Sequence, residues 1–218
     1  GPELKKLIET SLKESLESLQ TDYVDIFMLH HSDLEILENE EIANIFLELK
    51  RKGSCRATGV STYSSEETGK AIDSGTWDII QLPFNLMDQR QEVLFPLASE
   101  KGVGIVVRSV LLKGLLSDRG KNLHPALSDV EDHIKCYEEL LNETPYDLST
   151  LATKFVLSFP EVSAVLVGID RPEYLYKSIS AADGVYLGNQ KLARARDLAY
   201  PDPEFLNLPH WDKMNWLR

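Results

Sequence analysis

Five short apolar runs, separated by segments with the periodicity of amphipathic helices, constrain the fold of this chain more than any other feature. Within each run the apolar residues are continuous rather than alternating, which is typical of parallel strands that helices cover on both faces. We predict strands at Tyr23–Leu29, Arg56–Ser61, Asp78–Phe84, Val103–Val110 and Val162–Ile169. This order predicts an α/β fold with a parallel sheet, built either as an open doubly wound sheet or as part of a (β/α) barrel.

The segments between the strands carry apolar residues at spacings of three and four, which predicts helices. The predicted helices are Glu3–Gln20, Glu40–Lys52, Ser64–Ser74, Gln91–Lys101, Val130–Asn142, Leu148–Phe159, Pro172–Ala182 and Asn189–Ala199. We find no linker composition that would divide the chain, so we predict one domain over residues 3–218. We interpret Gly1 and Pro2 as the remainder of a cleaved fusion tag.

Composition and charge exclude several classes of partner. The 218 residues are 43% hydrophobic, which is enough for a globular core, and their net charge is −12. Because nucleic-acid binding requires a basic surface, we expect no nucleic-acid partner. The sequence has no apolar run long enough to cross a bilayer and no signal peptide, so we expect no membrane partner and a cytoplasmic location. Cys55 and Cys136 form no metal-binding spacing and are expected to be reduced thiols.

Polar residues follow or interrupt every predicted strand near its carboxyl end, which is where ligands bind in both candidate architectures. These residues are His30 and His31, Ser61 and Thr62, Gln81 and Asn85, Arg108 and Ser109, and Gly168 with Asp170 and Arg171. Most of them are also ordinary turn residues. Gln81 and Arg108 are different, because each interrupts an apolar strand, and burying such a group without a partner costs roughly 1–3 kcal/mol. We therefore predict a ligand at this end of the sheet.

Five motifs in the same order resemble those of the aldo-keto reductase family, and the resemblance covers nearly the whole chain. The motifs are DYVDIFMLHH, RATGVS, DIIQLPFNLMDQR, VVRSVLLKGLL and VLVGIDRPEYL. The resemblance implies a parallel (β/α) barrel of TIM type, of which this sequence contains about five of eight strands. It also implies that NADPH or NADH binds at the carboxyl ends of the strands, and that a hydride passes between nicotinamide and the carbonyl carbon of a small-molecule substrate.

The resemblance implies a role for each motif position. His30 corresponds to the catalytic histidine that polarises the substrate carbonyl. Ser61 and Gln81 correspond to cofactor-binding residues that hydrogen-bond the nicotinamide carboxamide. Arg108 stands where many members stack an aromatic ring on nicotinamide, and a guanidinium plane can also stack.

The remaining cofactor residues belong to the other end of the nucleotide. Ser109, Leu111 and Gly114 correspond to the loop along the pyrophosphate, and Gly168 and Arg171 to the adenosine end. Many NADPH-dependent members carry more cations in this last segment than the sequence GIDRPEYLYKS provides. The resemblance therefore leaves open whether the cofactor is NADPH or NADH.

Three further catalytic residues of the family, an Asp, a Tyr and a Lys, belong to βα units that precede the part matched here. No tyrosine of this sequence matches the one that donates the proton, so we expect the chain by itself to be inactive or nearly so. Five parallel strands cannot close a barrel of eight. We therefore expect a second copy of the chain or a companion domain to cover the apolar strand edges.

Two interpretations of the function follow. The first is an NAD(P)H-dependent oxidoreductase domain that reduces aldehyde or ketone carbonyls in the complete protein. The second is a non-catalytic binding or scaffold module with the same fold. A metal site at His30 and His31 is disfavoured, because adjacent side chains of a strand point to opposite faces, and we expect no metal.

Overall fold

Five strands form one sheet in a computed structural model that describes residues 1–217. The strands are β1 (Val24–Leu29), β2 (Cys55–Ser61), β3 (Ile79–Pro83), β4 (Gly104–Arg108) and β5 (Val162–Val165). Their order in the sheet is β1-β2-β3-β4-β5, and β2 pairs in parallel with both β1 and β3. The predicted fold class is confirmed: a parallel (β/α) arrangement of barrel type that is incomplete, with five strands.

Helices connect the strands as the sequence predicts. Those of the described residues are α1 (Pro2–Leu19), α2 (Leu34–Leu37), α3 (Glu40–Arg51), α4 (Ser65–Asp73), α5 (Phe95–Glu100), α6 (Ser128–Lys135), α7 (Glu138–Asn142), α8 (Leu148–Leu157), α9 (Pro172–Ala181), α10 (Asn189–Asp197) and α11 (Leu208–Lys213). Within residues 1–217, no helix combines the length and the apolar composition that a membrane span requires.

Two predicted helices are each broken in the structure. Pro96 has no backbone N–H to donate to the carbonyl of Glu92, so residues 92–94 form a 3₁₀ turn and α5 begins at Phe95. The other break separates α6 from α7, where the Tyr137 N–H bonds to the carbonyl three residues back. The buried Tyr137 hydroxyl donates to the carbonyls of Leu86 (3.0 Å) and Leu198 (2.8 Å), so the break places this side chain in the core.

The predicted extent of the fifth strand is wrong. The sequence predicts a strand to Ile169, whereas β5 ends at Val165. The N–H of Leu166 still donates to the Val107 carbonyl at 2.8 Å, and residues 166–169 then leave the ladder. Leu166 and Ile169 are about half exposed, so their apolar character did not indicate burial within the sheet. Gly168 therefore lies three residues beyond the strand rather than at its end.

Contacts within the chain divide it into two compact units. Unit 1 contains residues 1–82 and 93–106, and unit 2 contains residues 83–92 together with those from 107 to the end of the described part. The prediction that residues 3–218 form one domain stays a prediction.

The core of unit 1 lies between its helices and β1–β2. A buried cluster joins α1 and α3 to the first residue of β2; it consists of Leu12, Ile45, Leu49 and Cys55. Phe46 of α3 stacks on Phe27 of β1 with ring centroids 5.2 Å apart and meets the edge of Trp77 at 5.0 Å. The apolar faces predicted from the spacing of leucine and isoleucine are thus the faces that pack.

The core of unit 2 is built on aromatic rings and one buried cation. Phe84 stacks on Phe155 of α8 at 5.6 Å, and both rings contact Phe159. Lys154 of the same helix is only 2% exposed, and its ammonium donates to Asp183 and to the carbonyl of Val185, each at 2.6 Å. These bonds fasten the segment after α9 to α8.

Candidate functional site

The carboxyl ends of β1, β2 and β3 bring three predicted site residues to one edge of the sheet in unit 1. Leu29, the last residue of β1, lies opposite Val60, and Ser61 lies opposite Gln81 in the parallel register. His30 follows directly after β1. The sequence prediction that parallel strand ends would gather His30, Ser61 and Gln81 at this edge agrees with the register.

The main chain around Ser61 is held by hydrogen bonds from both sides. Ser61 is 2% exposed, and its carbonyl accepts a hydrogen bond from the Ser32 hydroxyl at 2.8 Å. The N–H of Thr62 donates to the Gln81 carbonyl at 2.9 Å. Ser32 lies in the segment after β1, so these bonds fix the ends of three strands to one another.

The two adjacent histidines differ in their surroundings. The His31 ring packs edge-on against Tyr63, with ring centroids 5.9 Å apart. His30 is exposed, and among residues 1–217 no hydrogen bond or ring contact engages its imidazole. His30 is therefore the histidine whose ring is open to a ligand, and its predicted catalytic role stays a prediction.

Unit 2 contains a cavity of about 450 Å³ between the segment that follows β4, the segment that follows β5, and helices α8 and α9. This volume lies in the usual range for small-molecule sites. Four of the predicted cofactor residues line it: Ser109, Leu111, Gly114 and Gly168. Arg108 and Arg171 are not among its lining residues. Arg108 donates to the Ser109 hydroxyl at 3.3 Å, and Arg171 precedes the first turn of α9.

The segment after β4, which lines the cavity with Ser109, Lys113 and Gly114, is conformationally strained. Ser109, Leu112 and Lys113 have φ values of 60°, 47° and 53°, which L-residues rarely adopt, and Gly114 has 93°. Each such non-glycine residue costs roughly 1–3 kcal/mol and persists only where the surroundings impose it. Here the buried Asn85 imposes it in part, because its amide donates to the Ser109 carbonyl at 3.2 Å. Strain concentrated on a cavity wall is typical of a functional site.

The chemistry of the cavity wall fits a nucleotide. Hydroxyl groups are its most frequent polar groups, and they belong to Ser109, Ser117, Ser149, Thr150, Thr153, Tyr174 and Ser178. Hydroxyl donors suit phosphate oxygens and sugar hydroxyls alike. At Gly168 an added Cβ would meet no atom within 4 Å, so the missing side chain leaves its backbone open to an approaching ligand.

Each cation on the cavity wall is paired with a carboxylate. Lys113 lies 3.4 Å from Asp212, and Lys177 bonds to Asp147. Arg119 lies 3.6 Å from Asp170 and 5.8 Å from the centre of the Tyr174 ring. The interaction with Tyr174, through a hydrogen bond above all, is the main cause that raises the pKa of the Arg119 guanidinium above its ordinary value, and Asp170 adds to it.

Only part of this cavity wall could be recognised from the sequence. Lys177 was visible as a cation close to GIDRPEYL, but nothing indicated that Arg119 would face Asp170, 51 positions away. Ser149, Thr150 and Thr153 occupy one face of α8 at helical spacing, a pattern of small hydroxyl residues that could have marked the wall. Within the described part of the chain, no group of three or more His, Cys, Asp or Glu side chains is arranged to hold a metal ion.

Several known proteins similar to this chain are named as oxidoreductases or reductases. The model of the Aldo/keto reductase family matches residues 4–198. The uncharacterized oxidoreductase YqkF of Bacillus subtilis (strain 168) is 30% identical over 199 residues, covering 86% of this chain and 64% of that protein. The NADH-specific methylglyoxal reductase of Escherichia coli (strain K12) is 26% identical over 219 residues, covering 89% of this chain and 66% of that protein.

The solved structure of the holo form of aldo-keto reductase AKR11C1 from Bacillus halodurans is similar in fold, with a TM-score of 0.76 and 28% identity. The match covers 91% of this chain and 70% of that one. The chain spans slightly less than two thirds of the length of either curated relative.

Proposed function

The chain belongs to the aldo-keto reductase family, and on that premise we propose that it provides the cofactor-binding part of an NAD(P)H-dependent oxidoreductase that reduces aldehyde or ketone carbonyls. The cavity of unit 2 is the observation that carries the proposal. Four residues assigned to the cofactor by sequence motif line this one cavity, although they come from two segments more than fifty positions apart. Its hydroxyl-rich wall has the donors that a nucleotide requires.

In unit 2 we assign the strained segment after β4 to the pyrophosphate and the segment after β5 to the adenosine end. Ser109, which carries a hydroxyl, and Gly114, which has only backbone, line the cavity, and Gly168 also offers backbone without a side chain. Leu111 supplies an apolar surface. The name of the Escherichia coli relative, which includes NADH, supports a nicotinamide nucleotide as the class of cofactor.

In unit 1 we assign His30 to the substrate carbonyl, and Ser61 and Gln81 to the carboxamide of nicotinamide. An imidazole N–H that donates to the carbonyl oxygen stabilises the negative charge that develops there during reduction. The reduced cofactor, when bound, supplies the hydride. His30 has no competing protein partner among the described residues, so its ring is free to take this role.

We propose that the chain by itself binds the nucleotide but turns over slowly or not at all. Carbonyl reduction needs a proton donor within hydrogen-bonding distance of the carbonyl oxygen. We assign that donor to no residue of this chain. The expected homo-dimer or companion domain stays a prediction, which a mass measurement on the same sample tests.

A binding titration with a cavity-filling variant tests the proposal. NADH or NADPH is added to the chain while nicotinamide fluorescence is followed, and saturable binding is expected. Gly168→Leu should weaken binding at least about tenfold, which corresponds to about 1.4 kcal/mol, because the side chain enters the cavity. The fold should survive, since a Cβ at Gly168 meets no atom within 4 Å.

Gly188→Leu is the matched control. Gly188 is also exposed, a Cβ there also meets nothing within 4 Å, and it lies outside the cavity wall. Equal loss of affinity in both variants, or no saturable binding by the unmodified chain, would overturn the proposal.

A further inference from the structure

The charges on the wall of the cavity in unit 2 bear on the choice between the two nicotinamide nucleotides. The cations that line it are Lys113, Arg119 and Lys177, and each already faces a carboxylate within the protein. Among the described residues, the wall therefore offers no cation whose charge is uncompensated. An anionic group that binds one of these three cations must either replace its carboxylate or lie beside it. Arg171, which follows Asp170 outside the wall, forms no ion pair within residues 1–217.

Two carboxylates belong to the wall itself. Asp170, in the segment after β5, pairs with Arg119. Asp118 precedes Arg119 in the chain, is exposed, and forms no ion pair or hydrogen bond within residues 1–217. The wall therefore carries an uncompensated negative charge at Asp118, on the same segment that brings Arg119 to the cavity.

NADPH differs from NADH by a phosphate on the ribose 2′-oxygen, which adds a charge of about −1.5 to −2 at neutral pH. Against this wall the additional charge is repelled by Asp118 and Asp170, and it competes with Asp170 for Arg119. A free ribose has the opposite requirement, because its hydroxyl groups donate hydrogen bonds that a carboxylate accepts. In the Rossmann fold, which binds the same nucleotides, an acidic residue binds the ribose 2′-hydroxyl of NAD, and an arginine accommodates the 2′-phosphate of NADP.

We propose that this cavity binds NADH in preference to NADPH, and that Asp118 and Asp170 are the residues that determine the preference. This inference rests on the proposed function and extends it by choosing between the two cofactors. Arg119 lies on the wall but forms an ion pair with Asp170. Replacing the Asp170 carboxylate alone therefore makes the Arg119 guanidinium available to the 2′-phosphate.

The test is a pair of titrations of the full chain, one with NADH and one with NADPH, at low and at high salt. At low salt, NADH should bind at least about tenfold more tightly than NADPH. The ratio of NADH affinity to NADPH affinity should fall towards unity near 1 M salt, where the Debye length is about 3 Å. Asp170→Asn should tighten NADPH binding at least about threefold. It should change NADH affinity by less than about twofold, because the amide oxygen of Asn still accepts a hydrogen bond from a ribose hydroxyl. Asp118→Asn should also lower the ratio of NADH affinity to NADPH affinity, and Asp170→Glu should leave that ratio unchanged.

Asp197→Asn is the matched control, because Asp197 of α10 is exposed and lies outside the cavity wall. It should leave the ratio unchanged. Binding of NADPH as tight as that of NADH would overturn this inference and leave the proposed function standing, as would an unchanged ratio in both Asp170→Asn and Asp118→Asn. Binding of neither nucleotide would overturn both.

Discussion

The ammonium of Lys50 lies 2.7 Å from one carboxylate oxygen of Asp78 and 2.8 Å from the other, so that α3 is tied to the residue that precedes β3. The same carboxylate accepts the N–H of Thr58 at 2.8 Å and its hydroxyl at 3.1 Å. One side chain thus joins α3, β2 and β3 in unit 1. These are the elements that position Ser61 and Gln81, so the pair connects packing with the candidate site.

Replacing Asp78 with Asn should lower the free energy of unfolding by about 1 kcal/mol at neutral pH. This value is at the low end of the usual range for a hydrogen bond to a charged group, because the side chains of Lys50 and Asp78 are both 38% exposed and solvent screens their charges. Denaturant unfolding followed by circular dichroism measures the change. Asp73→Asn is the control, since Asp73 is exposed at the end of α4, and it should change stability by less than about 0.5 kcal/mol.

The contribution of Asp78 should depend on pH. Burial raises the pKa of its carboxyl, but hydrogen bonds from Lys50 and Thr58 outweigh burial and hold the pKa below its ordinary value near 3.8. A carboxyl with a lowered pKa stabilises the fold above that ordinary value, and the contribution is lost as the pH falls through the lowered one. The difference between wild type and Asp78→Asn should therefore be constant at neutral pH and be lost as the pH falls below the ordinary pKa of 3.8. A difference that grows on acidification would contradict this assignment.

Asn85 should act as a positioning residue for the strained segment after β4. Its Nδ2 donates to the Ser109 carbonyl, while its Oδ1 accepts the N–H groups of Met87 and Asp88, each at 2.9 Å. Asn85→Asp keeps the acceptor and removes the donor, so we expect weaker nucleotide binding, by about 1–2 kcal/mol or 5- to 30-fold. Hydrogen exchange at residues 109–114 should increase in the same variant.

The control for Asn85 is a variant that loses similar stability without touching the cavity. Tyr137→Phe removes a buried hydroxyl that donates to two carbonyls, and it should cost about 1–2 kcal/mol of unfolding free energy. Its nucleotide affinity should equal that of the unmodified chain. If Asn85→Asp and Tyr137→Phe weaken binding equally, Asn85 affects affinity only through stability.

Lys154→Met should destabilise unit 2 by about 1–3 kcal/mol, since the carbonyl of Val185 loses its donor and the segment after α9 loses its anchor. Asp183→Asn should cost less, because Asp183 is 48% exposed and its position can be hydrated. Thermal unfolding of the Lys154→Met and Asp183→Asn variants measures which of the two loses more stability. A larger loss in Asp183→Asn would contradict the importance of the buried ammonium.

His30 and His31 should respond differently to substitution in a preparation that reduces a carbonyl. His30→Ala should lower kcat by about 10²- to 10⁴-fold, the range expected for a positioned proton-transfer or hydrogen-bonding group. His31→Ala removes only the contact with Tyr63 and should leave kcat within about threefold. Comparable losses in both variants would refute the assignment of His30.

The sequence predicted those parts of the fold that depend on local periodicity. The leucine spacing before Gln20 and the apolar run after Asp22 gave α1 and β1 to within two residues. Ser64, at which the sequence predicts a helix to begin, caps that helix: its hydroxyl accepts the N–H of Glu67 while the Glu67 carboxylate accepts that of Ser64. These features are local because the interacting groups lie within one or two turns of the chain.

The site was less accessible to sequence analysis because its geometry depends on distant residues and on unusual backbone angles. The residue types of Ser109, Leu112 and Lys113 do not indicate a positive φ, because their surroundings impose that angle. The partner of Lys113 is Asp212, about a hundred positions later. Motif order located the segments, whereas the charge pairing that bears on cofactor choice required the structure.

Hydrogen exchange of the chain with and without saturating NADH is the measurement that tests the central claim most directly. The claim is that the cavity of unit 2 holds the nucleotide between the segments after β4 and β5. We predict that NADH slows exchange at residues 109–120 and 166–174, with little change at α10 and α11. Protection confined to other segments, or saturable binding without protection of these two, would contradict the account.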